Sequence, residues 1–385
     1  MRGTKIMTNT VSGLDCRPNL KRENRSETGR GRCSVSENTC INEQENGNMG
    51  DNPLTGFEVD KSTLKYIGKD LQRPECILAE SDGILWSADA RGGVVRIHPD
   101  GTQKIITQSY RESFAQTTDL ATRFTEGTLP NGLAFTSKGD ILISNFGTDC
   151  LEVMTREGET RVLIDSIDGE PIGKVNFILR DSKDRIWMTI STRIKNWMSA
   201  ISPNIIDGYI ALVDKGVIRI VAEGFHFTNE IRLDEKEEWL YVVETCGKHV
   251  SRLRVHEDGS LTDREIYGPE DTGAFIDGIA FDSYGNLWGT HVMTDQIFAI
   301  TPKGDLKILL DDDNPAASQT LRKAFEADEV TPELMLTCGG TIAPWFASVT
   351  FGGADLKTVY IGSLRGTRIP YFQSPVAGLP MIHWK

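Results

Sequence analysis

Five oxygen-bearing side chains stand at the head of one repeated phrase: Glu75, Asn131, Asn176, Asn229 and Asp277, with Thr341 opening a sixth copy. Behind each head run an apolar segment, a short acidic or glycine turn, and a second apolar segment. Carboxylate and amide oxygens gathered at one point are the donors a hard cation prefers. Repeats that close around an axis would gather them so, because one position in every copy then faces a common channel.

The elements that must hold these heads follow from the same phrase. Successive heads lie about 45 to 65 positions apart, the period of propeller blades of roughly four strands each. Leu85–Ala88, Ile186–Thr189 and Leu240–Val243 are short aromatic and β-branched runs that suit strands. Ser81-Asp82-Gly83, Ser137-Lys138-Gly139 and Ser283-Tyr284-Gly285 supply the turns between strands. The predicted fold is all-β, a six-bladed β-propeller over residues 54–385 with a central divalent-metal site.

Geometry then assigns a face. Antiparallel neighbours return the second strand of each blade to the rim that carries the heads. Asp89, Asn145, Ser191 to Arg193, Glu244 to Cys246 and His291 are expected there. Two long connections open on the same rim, residues 110–129 and 311–338, the second with a helix start at Asn314-Pro315. Phe114, Phe124, Leu321, Phe325 and Met335 are expected to roof the channel.

Composition narrows the partners. A hydrophobic fraction of 39% with 7 Trp and 15 Phe can fill one large core, and a net charge of −13 argues against nucleic acid or an anionic membrane surface. No apolar stretch nears the roughly 20 residues that span a bilayer. Seven cysteines without paired spacing favour a reducing, cytoplasmic setting. Residues 1–53 are polar, nearly charge-balanced and poor in aromatics, so a disordered extension is expected there, with Met49 an alternative start. The expected partner is a small-molecule substrate.

The phrases together, and especially Ile276 to Ala280, Phe281-Asp282, Leu287-Trp288 and Ser348 to Tyr360, resemble the gluconolactonase, regucalcin and senescence-marker-protein family over about residues 60 to 370. The resemblance implies one divalent cation, Ca²⁺ or Zn²⁺ with Mg²⁺ or Mn²⁺ as further options, and hydrolysis of lactones. It implies metal binding by Glu75, Asn176, Asn229 and Asp277, with Asn131 toward substrate. Sugar-lactone members carry Arg two residues before the blade-three asparagine and Asp-Gly after it, whereas this chain has Lys174 before and Phe177-Ile178 after. That departure suggests a bulkier, less polar substrate, with Phe177, Trp197, Phe227, Trp345 and Phe346 nearby.

The chemistry so implied is metal-assisted hydrolysis of a cyclic ester. Asp277 is expected as the base and Glu75 as ligand or alternate base, while Lys174, Arg193 and His226 are expected at the substrate. No Gly-x-Ser-x-Gly element supports a serine nucleophile. An organophosphate-type phosphotriesterase on the same metal, or a non-enzymatic calcium-binding propeller, are the competing functions. A strictosidine-synthase-like propeller without catalytic metal is disfavoured by the set Glu75, Asn176, Asn229 and Asp277.

Overall fold

A computed structural model of the chain describes residues 50–109 and 127–384. Each repeat forms one antiparallel four-stranded sheet, because its apolar runs are short and its Gly- and Asp-rich turns reverse the chain. Blade one runs outward through Ile77–Ala79, Leu85–Asp89, Gly93–Ile97 and Gln103–Thr107. The other inner strands are Pro130–Phe135, Val175–Arg180, Thr228–Leu233, Ile276–Phe281 and Phe346–Gly352. Each packs against the inner strands before and after it, and the sixth packs against the first, so the ring is closed. The expected six-bladed β-propeller is the observed fold.

Blade six draws on both ends of the propeller. Its outer strand is Lys65–Ile67, antiparallel to Ile369–Gln373, with Lys65 opposite Tyr371. Nothing in the repeated phrase marks Lys65–Ile67 for that role, since three residues carry no period.

The acidic turn of the phrase has a packing reason. Trp86, Trp187 and Trp288 occupy the same place in three second strands and are fully buried between sheets. Six residues upstream of each stands a carboxylate that accepts the indole N–H: Glu80, Asp181 at 2.9 Å and Asp282 at 2.9 Å. Asp181 and Asp282 also accept backbone N–H groups of their own turns, from Arg185 and Asn286. One side chain thus satisfies the buried indole and fixes the hairpin, which removes two desolvation costs together.

The expected boundary after residue 53 falls too late. Gly50 accepts from the Tyr284 hydroxyl at 2.9 Å, the Asn52 amide bonds Asn286 at 2.6 Å, and Leu54 is buried against blades five and six. Residues 1–49, most of the expected extension, lie outside the described residues, as do Phe114 and Phe124. The predicted helix is observed as α1, Pro315–Glu326, followed by α2, Pro332–Leu336. At the opposite end the C-terminal segment crosses from blade five to blade one, where Leu379 N–H bonds Phe281 O and the Trp384 indole bonds Ala79 O, both at 2.8 Å.

Candidate active site

A repeated irregularity aims the heads at the axis. In blades two to six the pairing of first and second strands slips around the head residue: between Pro130 and Leu133, Val175 and Phe177, Thr228 and Ile231, Ile276 and Ile279, and Phe346 and Val349. Such a bulge bends its strand and redirects a side chain. Glu75 reaches the channel by another route, a three-residue turn about Pro74 in which Glu75 N–H bonds Arg73 O at 2.8 Å.

The same register corrects the sixth head. Val349 stands where Ile231 and Ile279 stand in their blades, so Ala347 holds the head position and Thr341 does not. Thr341 lies upstream, where its N–H and hydroxyl bond Asp312 at 2.6 and 3.3 Å. The phrase misled because residues 339–345 are a connection that mimics a strand start.

Glu75, Asn131, Asn176, Asn229 and Asp277 line one cavity of about 60 Å³, together with Arg73 and Thr245. One water needs roughly 10–15 Å³ by the same measure, so a cation with several waters has room. The polar side chains form its floor. Phe146, Trp197, Ile201, Phe227, Met293, Met335 and Trp345 form its wall, with Met335 contributed by α2. Leu321 and Phe325 of α1 belong to the same apolar cluster, behind that wall.

Hydrogen bonds orient the floor. The Asn131 amide donates to Glu75 Oε1 at 3.1 Å and to Asn176 O at 3.0 Å. Asn131 Oδ1 in turn accepts from Arg73 Nη2 at 2.6 Å, and Arg73 Nη1 donates to Pro130 O at 3.1 Å. Asn229 Nδ2 donates to Thr245 Oγ1 at 3.1 Å, and Thr245 passes the bond on to Ile276 O at 2.7 Å. Two buried oxygens then remain without a protein partner, Glu75 Oε2 and Asn229 Oδ1.

Electrostatics sharpen the point. Burial pushes the Asp277 carboxyl up to about 8, with the Glu230 charge adding to the rise while Arg73 and an Asn229 hydrogen bond oppose it. Burial likewise raises Glu75 well above the ordinary carboxylate range, and Asp277 adds to it against Arg73. Below the floor, Glu230 is raised to about 7 by burial although Arg232 pairs with it at 2.9 Å. Among the described residues no three carboxylate, imidazole or thiolate side chains cluster as a metal group. Glu75, Asn176, Asn229 and Asp277 offer two carboxylates and two amides to the cavity, all oxygen donors, with one oxygen each of Glu75 and Asn229 buried and without a protein partner. That set fits a hard divalent ion.

The structure does not bring three of the expected substrate residues to this cavity. Lys174 Nζ pairs with Asp149 at 2.8 Å and bonds Phe146 O, buried behind the wall. Arg193 lies over the Tyr209 ring at 4.2 Å near Asp207 and Glu223, on the surface. His226 pairs with Glu244 at 3.3 Å, in a network with His249 and Arg264 that holds the Glu244 carboxyl well below the usual range despite its burial. His291 is buried against Phe298 and bonded to Gln296 and Thr272, and burial lowers it to about 4. Arg193 and His226, like Asp89 with Arg91, tie loops to their own blades, whereas Lys174 ties the start of blade three to blade two. Phe177 packs in the core under Arg232, and Phe346 sits in the core of blade six.

Reasoning from the sequence missed Arg73, Ile201, Met293 and the buried pair Glu230–Arg232. A signal for Arg73 exists. It stands two residues before its head, as Phe227 stands before Asn229 and Trp345 before Ala347. All three share a left-handed backbone, φ 57°, 60° and 66°.

The SMP-30/Gluconolactonase/LRE-like region matches residues 74–315. Serum paraoxonase/arylesterase 1 of Homo sapiens is 28% identical over 116 residues, 30% of this chain and 29% of that protein. The 6-deoxy-6-sulfogluconolactonase of Pseudomonas putida is 24% identical over 152 residues, 39% of this chain and 42% of that one. The chain thus spans less than half the length of these curated relatives. A gluconolactonase structure from Xanthomonas campestris superposes with a TM-score of 0.58 at 15% identity, covering 84% of this chain and 94% of that one. The calcium-binding protein regucalcin from Agrobacterium tumefaciens gives 0.60 at 13% identity, covering 83% and 98%. The structural likenesses establish the propeller alone; the matched region, which takes in five of the six heads, shows that the chain belongs to the SMP-30/gluconolactonase/LRE-like family.

Proposed function

We propose that the chain is a divalent-cation-dependent hydrolase of lactones, working at the floor of the central cavity. The observation that carries this reading is the pair of orphaned buried oxygens, Glu75 Oε2 and Asn229 Oδ1, beside two carboxylates raised by their burial. Buried acceptors without donors are rare unless an ion or water completes them. Glu75, Asn176, Asn229 and Asp277 would hold the cation, and their oxygen-only chemistry favours Ca²⁺ over Zn²⁺. When bound, a divalent cation supplies Lewis acidity toward a carbonyl oxygen.

The chain's own groups divide the remaining work. Asp277 takes a proton from the water that adds to the carbonyl carbon, the ring C–O bond then breaks, and the freed alkoxide regains a proton to give the hydroxy acid. Asn131, fixed between Arg73 and Glu75, orients substrate at the floor. The wall of Phe146, Trp197, Phe227 and Trp345 excludes bulk water and receives apolar substituents. Family membership supports the lactone, and the arylesterase in the name of the human relative supports including aryl esters among substrates.

The test is a panel of lactones and aryl esters against protein stripped of metal and reloaded separately with Ca²⁺, Zn²⁺, Mg²⁺ and Mn²⁺. Turnover abolished by chelation and restored best by Ca²⁺ is expected. Undiminished turnover in protein shown metal-free by elemental analysis would remove the cation from the mechanism. Cation binding without turnover of any panel member would favour a binding propeller.

A further inference from the structure

We infer that Arg73 makes the cavity a receptor for substrates that carry a carboxylate, and that this residue sets specificity within the lactonase reading proposed above. Among the described residues Arg73 is the one cationic side chain lining the cavity. Its guanidinium has five N–H donors, of which two are spent on Pro130 O and Asn131 Oδ1. Those two bonds pin the plane. Nε is buried and has no protein partner. A pinned guanidinium with unused donors in a largely apolar cavity is a preformed anion site, since planar, charge-assisted pairing with a carboxylate satisfies those donors at once.

The backbone shows that folding does not require an arginine there. Arg73 sits at φ 57°, a left-handed conformation that non-glycine residues seldom adopt. Phe227 and Trp345 occupy the equivalent place in blades four and six with φ 60° and 66°, and both line the same cavity. The left-handed turn recurs in blades one, four and six, and among these the guanidinium is particular to blade one. Where those blades present a ring to the substrate, blade one presents a positive charge.

Charge on the floor agrees. Glu75 and Asp277 carry two negative charges when ionised, which a divalent cation would balance, and Glu230 is paired with Arg232 at 2.9 Å. Arg73 then leaves the loaded cavity with a net positive charge, which favours an anionic guest over a neutral one. The guest is a compact lactone or ester with one carboxylate toward Arg73 and its apolar remainder against Trp197, Phe227 and Trp345.

Binding can be read without turnover. A cyclopentanone carboxylate and its carboxamide mimic a γ-lactone but offer no ring ester to hydrolyse, and calorimetry on the Ca²⁺-loaded full chain gives both affinities. The carboxylate is expected to bind about tenfold or more tightly than the carboxamide. Arg73→Met should bring the two within about twofold, and Arg73→Lys should keep only part of the preference. In parallel, Arg73→Met should raise KM for a γ-lactone bearing a ring carboxylate by a clearly larger factor than KM for its carboxamide, which shares only the loosening of Asn131. A wild-type protein that binds both mimics equally would overturn the inference with no variant needed. A carboxylate preference that survives in Arg73→Met would overturn it as well. Failure of every lactone to turn over would count against the lactonase and leave the binding comparison standing.

Discussion

Thr245 Oγ1 lies 3.1 Å from Asn229 Nδ2 and donates its own proton to Ile276 O at 2.7 Å. The hydroxyl therefore accepts from the amide, which fixes the amide's orientation and leaves Asn229 Oδ1 for the cavity. Partners of this kind commonly govern how well a ligand side chain holds an ion. Thr245→Val keeps the shape and removes the acceptor. It should weaken Ca²⁺ binding by about 10-fold or more and lower the melting temperature by a few degrees, since the Ile276 carbonyl also loses a donor. Calorimetric titration checks it, and unchanged affinity would show that the amide is set by other contacts.

Asp277→Asn separates base from ligand. The variant retains an oxygen donor and the side-chain shape but loses the proton acceptor. Ca²⁺ should still bind, more weakly, and kcat at saturating metal should fall by about 10² or more. A near-normal kcat would move the base to Glu75.

The raised carboxyls make cation-free stability depend on pH with a definite sign. A carboxyl whose folded value exceeds its unfolded one binds more protons folded than unfolded. For Asp277 that contribution is present near and below 3.8 and declines as pH rises toward about 8. Cation-free protein should therefore melt lower at about pH 9 than at about pH 6, and Asp277→Asn should flatten the difference. Ca²⁺ binding near neutral pH should release on the order of one proton per site, read as a buffer-dependent calorimetric heat. Equal heats in buffers of different ionisation enthalpy would contradict the raised values.

Leu54 tests where the propeller begins. It is 1% exposed and packs in the cluster of blades five and six. Leu54→Ala should cost about 2–5 kcal/mol in denaturant unfolding. A cost near zero would place the start of the packed propeller beyond residue 54, later than either boundary.

Much of the candidate site was legible because the heads and the bulges share one register. Glu75, Asn131, Asn176, Asn229 and Asp277 each head an apolar run, and the structure brings all five together. Thr341 was misread because a connection before Phe346 imitates the phrase. Lys174, Arg193 and His226 illustrate a different limit. Proximity along the chain to a head says nothing of direction, and each finds a carboxylate outside the cavity, at Asp149, Glu223 and Glu244. Arg73 escaped notice because its left-handed turn shows only when its place two residues before the head is compared with Phe227 and Trp345. The indole–carboxylate pairs at Trp187 and Trp288 were hidden as well, since an acidic turn reads equally as a solvated hairpin tip.

The pairing of Lys65–Ile67 with Ile369–Gln373 has a bearing on how the molecule comes into being. During synthesis the early strand emerges long before its partner and must wait, unpaired, while five blades assemble beside it. Until it docks, Ile369–Gln373 is an open sheet edge, the kind that templates association between chains. Joining segments so distant in sequence is also entropically slow. The meeting of the two ends is then expected to come late in folding. Refolding yield should be governed by competition between that clasp and intermolecular edge pairing, and so should fall as protein concentration rises.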